Sequence, residues 1–293
     1  MYSQIDSNKR QSVLLMMIFI AVIIGLGYVF DMAAGTGSYA GVFFAIILSF
    51  GMTAISYFQG DKIALWSTGA KPIIKEDNAY VYRMIENLAI TNGTPAPKIY
   101  IIEDSAINAF ATGRKPELSS IAVTRGAIEK LTNEELEGVL AHELSHVKNY
   151  DIRFMMLVAV LVGSISILSN IFLRSRWLPR RNDREGGNIG AIFMIIGIVL
   201  AILSPLIAEL IKLAISRRRE YLADASGALL TRYPEGLARA LGKIAAQNQP
   251  MAQASQATAH LFIANPFSGK KISNLFSTHP PIEDRIKKLR EMA

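Results

Sequence analysis

The residues of this chain best suited to chemistry are His142 and His146, with Glu143 between them, in the pattern H-E-x-x-H. Two histidines four residues apart on a helix lie on one face, about one turn from each other. Their imidazoles can bind a single Zn²⁺, and the acid between them can act as a general base toward water. A chance arrangement on a helix surface is the weaker interpretation, because the chain has only four histidines. The motif therefore predicts one zinc ion per subunit.

A catalytic zinc site needs a third protein ligand and an open position. The two other histidines, His260 and His279, are candidates, although His260 is expected to be an ordinary interior or surface histidine. Glu220 and Asp224 lie four residues apart, so a helix through them places both on one face. Glu220 could complete a His₂Glu site, while Asp224 accepts the free N–H of a ligating histidine. By spacing alone, a charged helix surface with local ion pairs is an equal alternative.

Three further polar residues have two interpretations each. Asn149 and Asp151 follow the histidine motif along the same predicted helix, where they could fix either the helix end or a metal ligand. Arg285, on the last predicted helix, could bind a carboxylate or pair with Asp224. Spacing does not choose between these roles.

The histidine motif needs a helix, and Thr132 with Glu135 forms a capping box that is predicted to open one. Polar residues interrupt this helix on both sides of the motif, so it is not predicted to lie within the hydrocarbon of a membrane. Hydrophobic periodicity predicts a preceding helix over residues 76–90 and strands over residues 98–103, 109–112 and 120–124. Further helices are predicted from residue 217, over residues 234–247, and from Pro281 onward.

Four apolar segments are candidates to enter a membrane, at residues 12–30, 39–58, 154–173 and 189–210. The first could be a signal peptide, but its apolar run is too long and no convincing small-residue cleavage site follows. These segments divide the chain into four parts: an N-terminal transmembrane hairpin (1–60), half of a soluble domain (61–152), a second membrane hairpin (153–215) and the other half of the domain (216–293).

Basic residues indicate how these segments are oriented. Lys9 and Arg10 precede the first segment and a lysine-bearing stretch follows the second, so both ends of the first hairpin are predicted to be cytoplasmic. The loop at residues 174–188 holds five arginines, against the positive-inside tendency if the second hairpin crosses fully. Either the hairpin crosses with its arginines outside, or it dips into the bilayer. Cysteine labelling near residue 180 would decide, because the chain has no cysteine of its own.

The composition excludes several classes of protein. Hydrophobic residues make up 51% of the chain and charged residues only 19%, which argues against an ordinary soluble protein. The net charge of +7 fits basic residues gathered at membrane helix ends, and no basic surface interleaved with aromatic residues predicts nucleic-acid binding. The absence of cysteine excludes disulfides and thiolate metal sites. The bilayer is therefore an expected partner and nucleic acid is not.

Four motifs occur in order along the chain: NAFATG at 108–113, HELSH at 142–146, REYLAD at 219–224 and HPP at 279–281. With the two hairpins, they give a whole-chain resemblance to the HtpX-type membrane proteases of the M48 metallopeptidases. The chain is similar, more distantly, to the CAAX prenyl proteases and the mitochondrial Oma-type enzymes. The resemblance implies that His142, His146 and Glu220 bind zinc and that Glu143 is the catalytic base. It also places His279 near the active site.

The expected fold class is a mainly α membrane protein with an α+β, zincin-like (gluzincin) protease domain. His279 is predicted to help stabilise charge on the reacting carbonyl, the alternative being an exposed residue ahead of the last helix. The stretch Asn108, Ala109, Phe110 and Ala111 is predicted to be an edge strand that an extended substrate joins by β-augmentation, the alternative being a plain core strand.

The expected function is zinc-dependent hydrolysis of peptide bonds in the bacterial inner membrane, with the active site facing the cytoplasm. The reaction type is predicted from the residues, while the substrates, misfolded or damaged membrane proteins and unfolded polypeptides, and a role in the stress response are implied by the resemblance. A processing protease with few substrates and a zinc-binding adaptor without turnover are the alternatives. Glu143 argues against the adaptor, because a purely structural zinc site fills its fourth position and needs no base.

Overall fold

The computed structural model describes residues 2–34, 38–174, 216–247, 249–254, 257–267 and 280–292. The chain begins with two long helices, α1 (Tyr2–Ala34) and α2 (Ala40–Ser67). Asp31, near the end of α1, accepts hydrogen bonds of 2.8 Å from the backbone N–H groups of Gly41 and Val42 in the first turn of α2. This charged residue of the predicted hairpin loop therefore caps the second helix and fixes the reversal of the chain.

Both helices are long and apolar enough to cross a membrane, over Gln4–Met32 and Ala40–Ser67. The third apolar segment forms most of α6 (Asp151–Arg174), which packs against α1 and α2 through apolar side chains. The fourth predicted segment, residues 189–210, lies outside the described residues, as does most of the arginine-rich loop. Among the described residues two helices are thus long and apolar enough to cross a membrane, and crossing by the second hairpin stays a prediction.

The chain between α2 and α6 contains a four-stranded sheet. Its strands are β1 (Lys71–Pro72), β2 (Lys98–Ile102), β3 (Ala109–Gly113) and β4 (Ser119–Thr124), in the order β1-β2-β4-β3. β2 and β4 are parallel, and the two outer pairs are antiparallel. Three of these strands follow the predictions closely. The two-residue β1 was not predicted, because both of its residues are exposed and form no alternating pattern.

Three helices accompany the sheet: α3 (Ala79–Asn92), α4 (Arg125–Lys130) and α5 (Asn133–Lys148). α3 begins three residues later than predicted, because the side chain of Asn78 accepts a hydrogen bond from the N–H of Val81 and caps the helix there. α5 opens with the predicted capping box, in which the Glu135 carboxylate accepts a 2.8 Å hydrogen bond from the N–H of Thr132.

The C-terminal part contributes α7 (Arg217–Thr231), α8 (Pro234–Gln247) and α9 (Ile282–Arg290), each starting where the sequence predicts. α5 lies at the centre of the domain and packs against α3, β3, α7 and α8. Gly227 allows α7 to approach closely, since a Cβ there would lie only 3.0 Å from the backbone nitrogen of His142. The two soluble halves therefore form one core around the histidine helix.

Candidate metal centre

The centre begins with the middle of α5, where His142, Glu143 and His146 are buried with 0%, 2% and 3% exposure. The rings of the two histidines are nearly perpendicular, and their Nε2 atoms lie 3.2 Å apart. Two facing lone pairs at this distance repel each other, so the pair needs a proton or a cation between its nitrogens. The spacing of one helical turn therefore brings the two Nε2 nitrogens together, so that both can bind one metal ion.

Glu220 reaches these nitrogens from the first turn of α7, which begins after its N-cap, Ser216. Its carboxylate oxygens lie 3.9 Å from His142 Nε2 and 3.6 Å from His146 Nε2. Ligands about 2.1 Å from a tetrahedral Zn²⁺ are about 3.4 Å from each other. The observed separations of 3.2, 3.6 and 3.9 Å therefore fit one such ion. The donor set of two histidines and one carboxylate also suits zinc with an open fourth position.

A carboxylate stands behind each histidine. Nδ1 of His146 lies 3.0 Å from Oδ2 of Asp151 in hydrogen-bond geometry. Nδ1 of His142 lies 2.9 Å from Oδ1 of Asp224, at ion-pair distance but out of line for a hydrogen bond. Each carboxylate favours a proton on Nδ1, which leaves Nε2 as the metal-binding nitrogen. Asp224 thus lies beside His142, and its role as the acceptor of a ligand N–H stays a prediction.

The surroundings of the two histidines shift their pKa values in opposite directions. Burial lowers the pKa of His142, which favours the neutral ring that a metal requires. Burial also acts to lower the pKa of His146, but the hydrogen bond with Asp151 and the charge of Glu220 outweigh it and raise the pKa to about 9. A metal ion therefore competes with a proton for His146.

Arg285 from α9 supports the outer layer of the site. It is fully buried and forms a bidentate pair with Asp224, with Nε and Nη2 at 2.8 and 2.6 Å from the two carboxylate oxygens. Burial alone would raise the pKa of Asp224, but the arginine overcomes it and lowers the pKa to about 2. Arg285 also lies 3.8 Å from Glu220. The pairing with Asp224, one of two roles open for Arg285, is the one present.

Glu143 lies on the side of α5 that faces β3. Burial raises its pKa to about 8, with the nearby charge of Glu220 acting in the same direction, while a hydrogen bond from the Ala111 backbone acts against them. A carboxyl group with this pKa is mostly protonated at neutral pH, and a nearby cation would favour the ionised form that a general base requires. The predicted base is therefore next to the predicted substrate strand.

β3 is an edge strand, but part of its edge is occupied by the chain itself. The carbonyl of Ala109 accepts a 3.0 Å hydrogen bond from the N–H of Ile263, and the amide of Asn108 donates to the carbonyl of Ala264. Phe110 packs in the core edge-to-face against Phe262. Asn108, Ala109 and Phe110 thus hold the strand in place, while the Ala111 backbone contacts Glu143.

The other histidines are not part of the described cluster. His279 lies outside the described residues, so its predicted role stays a prediction. His260 is fully buried, and its Nε2 lies 2.9 Å from the carbonyl of Met155, which agrees with the expectation of an interior histidine.

The sequence did not settle the role of Asp151. α5 ends at Lys148, and Tyr150 adopts a left-handed backbone with φ of 60° before α6 begins. This turn directs the Asp151 side chain back toward His146, five residues earlier. A continuous helix, which the sequence predicted, would have pointed it about 140° away.

The buried His₂Glu cluster, the adjacent acid and the membrane-length hairpin define a class of protein, the membrane metalloproteases. Comparison with known families agrees, since the family described as Peptidase family M48 matches residues 75–293. The chain belongs to peptidase family M48.

Similarity to known proteins covers the whole chain. This chain is 43% identical to a protein named Protease HtpX homolog from Caldanaerobacter subterraneus subsp. tengcongensis, over all of this chain and 98% of the relative. A protein of the same name from Streptococcus uberis is 39% identical, with both chains fully covered. The crystal structure of S. mikatae Ste24p shares the fold, with a TM-score of 0.51, 21% identity, and coverage of 99% of this chain and 67% of that one.

Proposed function

We propose that this protein is an integral membrane zinc endopeptidase that hydrolyses peptide bonds of misfolded or damaged membrane proteins. The observation that carries the proposal is the buried convergence of His142, His146 and Glu220, whose ligand atoms all lie within 4.8 Å of one another. A catalytic role explains why a second buried acid, Glu143, lies beside this cluster, since a structural metal site has no use for it.

Each residue then has a chemical role. His142, His146 and Glu220 hold Zn²⁺, which when bound supplies Lewis acidity toward water and toward a carbonyl oxygen. The Glu143 carboxylate takes a proton from the attacking water and later gives it to the leaving amine. Burial around Glu143 keeps bulk water away from this proton transfer. His279 is proposed to stabilise negative charge on the substrate oxygen.

Substrate binding is proposed along the β3 edge from Ala111 onward, beyond the part that contacts Ile263 and Ala264. Ala111 has its backbone next to Glu143, so a peptide extended along this edge passes the base. Backbone hydrogen bonds do not depend on side-chain identity, so such binding tolerates many sequences and suits unfolded polypeptides. A processing enzyme with few substrates would instead need side-chain pockets along this edge.

The membrane helices support a location at the bilayer. Aromatic and basic residues meet at one end of the hairpin: Arg114 lies over the ring of Phe58, and Arg153 and Lys9 lie over the ring of Tyr150. Such residues are enriched at membrane–water interfaces. We propose the bacterial inner membrane, with this end and the metal centre on the cytoplasmic side, in keeping with Lys9 and Arg10 before the first apolar segment.

Hydrolysis of casein by the purified full-length protein in detergent with Zn²⁺ tests the proposal. We expect Glu143→Gln to abolish cleavage without loss of zinc, while Glu137→Gln on the same helix leaves both unchanged. Glu220→Ala should lower zinc content as strongly as His146→Ala. Equal cleavage by wild type and Glu143→Gln would refute the proposed protease activity. A normal zinc content in Glu220→Ala would show that Glu220 is not the third ligand.

A further inference from the structure

The first membrane helix reaches the outer layer of the metal centre through one buried amide. Asn8, one turn before the apolar part of α1, is 1% exposed. Its Nδ2 donates hydrogen bonds to Oδ1 of Asp151, at 2.6 Å, and to the carbonyl of Asn149, at 2.8 Å. These contacts join residues more than 140 positions apart in the sequence. They connect α1 to the turn that follows the histidine helix.

A second helix closes the same network. Arg219 of α7 donates from Nη2 to the Oδ1 atom of Asn8, at 2.8 Å, and its Nε lies 2.7 Å from Oδ1 of Asp151. The Asn8 amide thus uses its donor and its acceptor at once, which fits asparagine. An acid would repel Asp151, and an apolar residue would leave buried polar groups unsatisfied. Arg219 directly precedes the proposed ligand Glu220.

Both oxygens of Asp151 are consequently fixed. Oδ1 accepts a hydrogen bond from Asn8 and lies at ion-pair distance from Arg219, and Oδ2 faces Nδ1 of His146 at 3.0 Å. Asp151 is itself only 1% exposed, so no solvent can replace a lost donor. If Asn8 were removed, the carboxylate could rotate, and the His146 ring would lose its fixed direction. Mutation of a residue that hydrogen-bonds directly to a metal ligand, as Asp151 does, typically changes metal affinity by about 10- to 100-fold.

We propose that Asn8 is a positioning residue of the metal centre, acting through Asp151 on His146. The first membrane helix is then a working part of the site as well as an anchor. This inference rests on the proposed function, because it takes His146 to be a zinc ligand.

The test measures zinc affinity of the purified full-length protein by competition with a chromogenic chelator. We expect Asn8→Ala to weaken zinc binding about 10-fold or more. Ser12→Ala is the matched control, because Ser12 lies one turn further along α1 and is equally buried, and its hydroxyl donates to the Asn8 carbonyl of its own helix rather than to Asp151. Its zinc affinity should equal that of wild type.

A double-mutant cycle shows whether Asn8 acts through Asp151. Asp151→Ala alone should weaken zinc binding at least as much as Asn8→Ala. Adding Asn8→Ala to Asp151→Ala should then cause little further loss, because Asn8 has no carboxylate left to orient. Full additivity of the two effects would overturn the proposal.

Thermal unfolding of the metal-free variants separates positioning from simple destabilisation. If Asn8→Ala lowers the unfolding temperature but binds zinc as tightly as Ser12→Ala, Asn8 is only structural and the inference is wrong. If Glu220→Ala also binds zinc normally, the proposed metal site itself is wrong. The two failures are therefore distinguishable.

Discussion

The buried pair of Arg285 and Asp224 provides a quantitative test of how the site is held together. Arg285→Met keeps most of the side-chain volume but removes the charge, which leaves a carboxylate that is 2% exposed without its bidentate partner. Breaking a buried ion pair on one side typically costs about 3–5 kcal/mol of unfolding free energy. We expect a loss of this size in the metal-free protein, measured by urea unfolding in detergent with far-UV circular dichroism.

The pKa of Asp224 gives a second value for the same pair. It is lowered from the usual 3.8 to about 2 in the folded protein, which corresponds to a contribution on the order of 2 kcal/mol. Because the folded pKa is lowered, this contribution is fully present above about pH 4 and disappears as the pH falls toward 2. The figure is smaller than the cost of removing Arg285, because in the variant burial remains and raises the pKa of Asp224.

The variant Asp224→Asn/Arg285→Met is the control for charge. With no unpaired carboxylate left in the interior, it should recover at least about 1 kcal/mol relative to Arg285→Met alone. A loss below about 1 kcal/mol in Arg285→Met would show that the pair is solvated. A double variant no more stable than the single one would show that lost packing, not charge, is responsible.

Three other perturbations have defined outcomes. Gly227→Ala should push α7 away from α5 and weaken zinc binding. Gly242→Ala is the control, because its added Cβ would have no atom within 4 Å and should stabilise the helix by up to about 1 kcal/mol. Equal zinc affinities of the two variants would show that the close approach of α7 to α5 is unimportant. Tyr150→Gly should keep the zinc affinity and Tyr150→Val should lower it, because glycine adopts the left-handed backbone without strain and valine does not. Competition with a chelator measures the zinc affinity of both variants. Leu229→Cys, 79% exposed, should react with an impermeant maleimide only after cells are permeabilised, and labelling of intact cells would place the domain outside.

Local signals in the sequence were sufficient for most elements of the soluble domain, although β1 and the short helix α4 were not predicted. The capping box at Thr132 and Glu135 correctly predicted the start of α5, and alternating apolar residues predicted three of the four strands. The start of α3 was misplaced by three residues, because periodicity does not show which polar residue will cap a helix. Asn78 caps the helix because its side chain accepts the hydrogen bond from the N–H of Val81. Boundaries depend on single side-chain contacts of this kind.

Long-range contacts are where spacing and periodicity were insufficient, and the resemblance rather than the spacing indicated Glu220. The distance between His146 and Glu220 along the chain is 74 residues, and spacing alone left the ligand role at even odds with a charged surface. The contact between Asn8 and Asp151 had no local signal at all, since an asparagine near a helix start usually serves as a cap or a solvated residue. Only the packing of α1 against α6 shows that its amide is buried.

The arrangement of helices explains why the metal centre cannot be reduced to the histidine motif. His142 and His146 come from α5, the ligand candidate Glu220 from α7, and the groups that fix Asp151 from α1 and α7. More than seventy residues of the sequence separate the two histidines from Glu220. The three proposed ligands therefore meet only when α7 is packed against α5. Because two ligands alone hold zinc weakly, this packing becomes a condition for metal binding.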